Sequence, residues 1–79
     1  MEITLNLVGE RLKEMRKALG MLQEDVAKHL EVNQNAISRI EKGTGGSVSI
    51  LLKLINYYSN FFVVEHILSP KFEVVQISG

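Results

Sequence analysis

Five side chains able to form directed hydrogen bonds lie close together in the chain: Gln34, Asn35, Ser38, Arg39 and Lys42. If residues 34 to 42 form a helix, 3.6 residues per turn place all five within an arc of about 140°. Ala36, Ile37 and Ile40 fill the opposite side. Such a helix has one apolar face for a core and one face made only of hydrogen-bonding groups. The polar set suits base edges in a major groove. Gln and Asn can bond adenine N6 and N7 in pairs, Arg can bond guanine O6 and N7, and Ser can serve either. An ordinary solvated helix face carries Glu and Lys pairs, whereas this arc holds no acidic residue to repel phosphate.

A face of this kind works only if neighbouring elements hold it. Residues 2 to 7, EITLNL, alternate polar and apolar with Ile3, Leu5 and Leu7 on one side, the period of a half-buried strand. From Val8 the period lengthens, and Val8, Leu12, Met15 and Leu19 share one helical face. Gly20 suits the left-handed residue that ends a helix. A second helix of about two turns starts at Gln23, with Val26, Ala27 and Leu30 inward and Glu24 and Asp25 in its first turn, where the helix dipole favours acids. Glu31, Val32 and Asn33 join it to the third helix, which Asn33 can cap and Gly43 can close. The pair 23 to 30 and 34 to 42 has the size and spacing of a helix-turn-helix.

GTGGS, residues 43 to 47, reads as a loop. Ser47 then caps a fourth helix whose apolar face includes Val48, Leu51, Leu54, Ile55 and Tyr58. Residues 61 to 68, FFVVEHIL, suit a strand by propensity and a short last helix by position, and the helix is preferred. Pro70 breaks that element, and FEVVQI from 72 to 77 reads as a strand. Two terminal strands alone make a marginal sheet, so they are expected to meet the strands of a second subunit. The expectation is a mainly α single domain, 1 to 79, of four to five short helices with short N- and C-terminal β-strands. It divides into a helix-turn-helix core at 8 to 59 and a dimerising extension at 60 to 79.

Other chemistries find little support. His29 and His66 are far apart, with neither cysteine nor paired carboxylates near them, so no metal site and no catalytic site is expected. Glu10, Glu14, Glu24 and Asp25 sit at helix starts and on exposed faces. Tyr57, Tyr58, Phe61 and Phe62 could stack on single-stranded bases, but packing between helices is the commoner use of such a cluster. No Ser-His-Asp order and no phosphate-binding glycine loop occurs, so the chain is not expected to be an enzyme and no cofactor is implied. The chain has no cysteine, which removes disulfide and thiolate chemistry and points to a reducing compartment. No basic and apolar leader opens it and no apolar stretch approaches bilayer length, so the expected location is cytoplasmic. The formal net charge is zero, yet between Gly9 and Lys53 eight basic residues face six acidic ones, a net of +2.

Residues 9 to 43, GERLKEMRKALGMLQEDVAKHLEVNQNAISRIEKG, resemble the Cro/CI-type (Xre-like) helix-turn-helix of phage and bacterial repressors. The likeness extends at lower specificity through Tyr58. It rests on Arg16, Gln23, Ala27, Val32, Ile37, Ser38, Ile40, Glu41 and Gly43, in the family's order and spacing. The resemblance implies a lambda-repressor-like DNA-binding domain. It implies base contacts from Gln34, Asn35, Ser38 and Arg39, backbone contacts from Gln23 and Asn33, and a structural ion pair between Arg16 and Glu41. Three positions depart from the family pattern. Leu22 stands where Ser or Thr usually caps the second helix, a loss of about 1 kcal/mol. Glu31 stands at a turn position usually held by Gly, so it must adopt a left-handed conformation. The GTGGS loop lacks the usual basic residues, leaving backbone N–H groups and Lys42 to meet phosphate.

The function expected from this reading is a homodimeric, sequence-specific repressor of a near-palindromic double-stranded DNA operator, with half-sites about one helical turn apart. Short repressors of this size include antitoxins whose C-terminal strands pair across a dimer, so a toxin protein is a further expected partner. The segment beyond the helix-turn-helix is too short for a ligand-sensing domain, so the signal is expected to come from elsewhere. The alternative is a protein-interaction adaptor on the same fold that does not bind DNA, which zero net charge and the uncapped Leu22 favour.

Overall fold

The computed structural model describes residues 2–77. Four helices follow one another: α1 (Leu5–Ala18), α2 (Gln23–Leu30), α3 (Gln34–Lys42) and α4 (Val48–Tyr58), and a short 3-10 helix covers Val64–Leu68. The mainly helical class expected from the sequence is the class found.

The strand expected over residues 2 to 7 does not form. Thr4 Oγ1 accepts from the Leu7 N–H at 3.1 Å and caps α1, so Leu5 to Leu7 make its first turn. Leu5 is 62% exposed, and the face turned to the core begins at Val8. Three alternating apolar residues pair with no strand among the described residues, and a capping threonine settles the local conformation.

Residues 61 to 68 divide between the two conformations their composition allows. Phe62 forms an antiparallel bridge with Gln76, flanked by Val63 N–H to Val75 O and Ile77 N–H to Phe61 O, both 2.9 Å. The 3-10 helix follows directly. The strand expected over 72 to 77 is thus realised as this single bridge. Arg11 ties the segment to α1: its Nη1 donates to the carbonyls of Ile67 and Ser69 at 2.7 and 2.6 Å, and its guanidinium lies 5.2 Å from the centre of the Phe72 ring.

Leu12, Met15, Val26, Ile37, Leu54, Tyr58, Phe62 and Ile67 are fully buried and come from all four helices and the C-terminal segment. Val48, expected on the buried face of α4, is instead 71% exposed. It opens the helix one turn before the helix reaches the core, which takes Leu54 and Tyr58 fully and Leu51 and Ile55 in part. Gly9 fixes the approach of α1 to α3. A Cβ there would collide with the carbonyl oxygens of Ile40 and Glu41, so only glycine lets the backbones meet.

Candidate nucleic-acid interface

The two central helices are joined by a turn in which Glu31 is left-handed, with φ 57° and ψ 45°. Among the described residues it is the only non-glycine with positive φ. Its N–H and that of Val32 close the end of α2 on the carbonyls of Lys28 and Ala27, at 3.3 and 2.9 Å. Asn33 Oδ1 then accepts from the Asn35 N–H at 2.7 Å and starts α3. Gly43, at φ 72°, ends α3.

Ile37 and Ile40 anchor α3 in the core, and this orientation decides what its other side presents. Gln34, Asn35, Arg39 and Lys42 are exposed, and Ser38 is half-buried beside them. Among the described residues, none of these five side chains makes a hydrogen bond or ion pair within the chain. Their donors and acceptors all remain available to an external partner. The guanidinium end of Arg39 lies beside Gly45, where an added Cβ would stand 3.8 Å from Nη2.

Behind this face lies the ion pair between α1 and α3. Arg16 Nε and Nη2 donate to Glu41 Oε2 and Oε1 at 2.7 and 3.0 Å, and Arg16 Nη1 donates to the Met21 carbonyl at 2.7 Å. Both residues are buried. The hydrogen bond to Glu41, opposed by burial and helped by the carboxylate's charge, holds the Arg16 pKa above its ordinary range. The one acidic side chain of α3 is therefore neutralised and turned away from the exposed arc. The sequence reading missed a third member of this network. Gln23 Nε2 donates to Glu41 Oε1 at 2.9 Å, fixing the start of α2 against the end of α3. One Nε2 hydrogen and the Oε1 of Gln23 stay available for an outside group.

At the start of α2, Leu22 has no acceptor to offer. Only the reciprocal half of a cap exists, with Asp25 Oδ2 accepting from the Leu22 N–H at 2.8 Å. The N–H groups of Gln23 and Glu24, in the first turn, have no intrahelical partner by geometry. Across the interface, Thr44 N–H turns back to the Arg39 carbonyl at 3.0 Å, and Gly45 and Gly46 carry the chain at positive φ to Ser47, which caps α4.

The residues weighed for other chemistries do not assemble into a site. No group of three or more metal-ligating side chains exists among the described residues. His29 packs against Tyr57 with ring centres 4.8 Å apart and planes tilted by 49°, while His66 belongs to the 3-10 helix. Tyr58 and Phe62 are buried, so they offer no stacking surface, and Tyr57 packs edge-on to Phe61. No helix is long and apolar enough to cross a membrane among the described residues.

A helix-turn-helix family model matches residues 12–59, which take in the second half of α1 and all of α2, α3 and α4. No curated protein and no solved structure matches the chain. With more than half of its length matched, and with two helices set by a tight turn to present a polar arc, the chain belongs to the Cro/CI-type, Xre-like helix-turn-helix family of DNA-binding regulators.

Proposed function

We propose that this chain is a transcriptional repressor that binds a specific, near-palindromic double-stranded DNA operator as a homodimer in the cytoplasm. Gln34, Asn35, Ser38 and Arg39 read base edges, while Gln23, Asn33 and Lys42 hold the sugar-phosphate backbone. The observation that carries this reading is the arc of α3, five hydrogen-bonding side chains with no partner among the described residues and no acid among them. Such groups suit direct readout in a major groove. The domain is a single unit whose segment 60 to 79 serves dimerisation.

Footprinting on DNA from upstream of the chain's own gene tests the reading. Two protected half-sites with centres about 34 Å apart are expected. Absence of any protected site, with the protein folded, overturns it.

A narrower form of the proposal makes this repressor the antitoxin of a toxin protein. Its support is the exposed apolar run Val74, Val75 and Ile77. Purification of the tagged chain from its native cells without a stoichiometric protein partner counts against it. The adaptor alternative draws on the zero net charge of the chain and on exposed Leu22. It requires that the Gln34 to Lys42 face be dispensable for partner binding.

A further inference from the structure

Resting on the DNA-binding reading above, we propose that the thioether of Met21 is an oxidation site through which a peroxide weakens the chain's hold on DNA. Methionine sulfur is oxidised to the sulfoxide where an oxidant can reach it. The sequence holds three methionines and no cysteine, so no thiol competes. Met1 lies outside the described residues, and Met15 is fully buried in the core. Met21, in the turn between α1 and α2, is half-buried and reachable. The chain thus carries a chemical input of its own, although it is too short for a sensing domain.

Two sets of contacts make this sulfur consequential. Through its side chain, Met21 packs against the hydrophobic core, and its Sδ accepts from the Tyr57 hydroxyl at 3.4 Å. The Tyr57 ring in turn meets His29 and Phe61, with ring centres 4.8 and 5.4 Å away. Through its backbone, the Met21 N–H donates to the Arg16 carbonyl at 3.3 Å, and the Met21 carbonyl accepts from Arg16 Nη1 at 2.7 Å. Arg16 is the buried partner of Glu41 on α3, and Glu41 also accepts from Gln23. The guanidinium that fixes α3 therefore holds Met21 as well, and Met21 stands two residues before the side chain that ties α2 to α3.

Hydrogen peroxide supplies the whole reaction. A sulfur lone pair attacks one peroxide oxygen, and an S–O bond forms as the O–O bond breaks. The departing hydroxide takes the proton left on the transferred oxygen and leaves as water. The sulfur loses two electrons and the peroxide gains them. The thioether has two lone pairs, and the Tyr57 hydroxyl occupies one. Oxygen added at that lone pair drives the hydroxyl out of its 3.4 Å contact. Oxygen added at the other leaves the sulfur drained of electron density and unable to hold it. Either epimer sets a polar group where an apolar side chain packs on the core. Both products loosen the Tyr57 anchor and move the entry to α2 against Arg16.

The full-length protein and Met21→Leu are treated with hydrogen peroxide. Each is read by peptide mass, by anisotropy with labelled DNA from upstream of the gene, and by the side-chain amide NMR signal of Gln23. One added oxygen is expected on the peptide carrying Met21, with Met15 unmodified. DNA affinity should fall about three- to tenfold, as for loss of a sulfur–aromatic contact. The Gln23 signal should move, and methionine sulfoxide reductase should restore both. Met21→Leu conserves volume, so it should fold and bind DNA alike before and after treatment. It retains Met1 and Met15, so it also reports any loss that arises at those two. Oxidation of Met15 as readily as Met21, an oxidised protein with unaltered affinity and Gln23 signal, or an equal loss in Met21→Leu each overturns the proposal. Untreated protein that binds no DNA overturns instead the reading on which it rests, and the Gln23 signal then still decides whether oxidation reaches the contact between α2 and α3.

Discussion

Arg16 of α1 and Glu41 of α3 meet in a two-pronged ion pair, 2.7 and 3.0 Å, beneath the exposed face of α3. Arg16 stays charged across the ordinary pH range and its pKa is raised on folding. Its contribution is therefore complete throughout the ordinary pH range and is lost only in strong alkali, as pH rises through the raised folded value. Removing one partner leaves the other charge buried alone. Arg16→Met is expected to cost about 3 to 5 kcal/mol in urea unfolding, as for other buried pairs. Replacing both by leucine should recover most of that loss, and a double variant no more stable than the single one would contradict this.

Tyr58 is fully buried, and its hydroxyl has no hydrogen-bond partner. Burial first, then the charge of Glu41, pushes its pKa up from the ordinary 10.0. A raised folded value means that stability is full below pH 10.0 and falls above it, because the unfolded chain releases the proton first. The fall attributable to this group has a limiting slope of about 1.4 kcal/mol per pH unit. Tyr58→Phe should remove that part of the alkaline loss, measured as the difference between the two proteins. At neutral pH it should be neutral or stabilising, since an unsatisfied buried hydroxyl costs about 1 to 3 kcal/mol.

Gly9 gives a prediction opposite to helix propensity. Gly→Ala inside a helix ordinarily stabilises by about 1 kcal/mol. Here the new methyl meets the backbone carbonyls of Ile40 and Glu41, which are not flexible side-chain ends. Gly9→Ala is expected to destabilise by about 1 to 3 kcal/mol, and since it displaces the end of α3 it should also weaken DNA binding. A thermal melt at or above wild type would contradict the close approach.

Glu31 behaves the other way. It occupies a left-handed conformation that costs a non-glycine residue about 1 to 2 kcal/mol. Glu31→Gly removes that strain and adds unfolded-state freedom worth about 0.4 to 1 kcal/mol. A net gain of up to about 1 kcal/mol is expected in chemical denaturation, with DNA affinity unchanged.

Much of this arrangement is written locally. The period of Val26, Ala27, Ile37 and Ile40 with the cap at Asn33 marks α2 and α3, and the turn spacing forces Glu31 left-handed. What escaped is set by contacts distant in sequence. Alternation at Ile3, Leu5 and Leu7 is equally compatible with a strand and a capped helix start, and only the lack of a paired strand decides. Val48 shares the apolar period of α4 but lies before the point where the helix reaches the core. The bond from Gln23 to Glu41 and the Arg11 clamp on Ile67 and Ser69 join residues whose types fit many partners, so no local pattern announces them.

The most direct measurement is fluorescence anisotropy of the purified protein with labelled DNA from upstream of its own gene, at two salt concentrations, alongside Arg39→Ala and Lys42→Ala. Arg39→Ala should lose about 1 to 3 kcal/mol on the operator and discriminate less between sequences. Lys42→Ala should weaken all sequences alike and flatten the logarithmic salt dependence by about 0.9 per protomer. Weak binding that neither substitution alters would contradict the assignment of the α3 face as the DNA-reading surface.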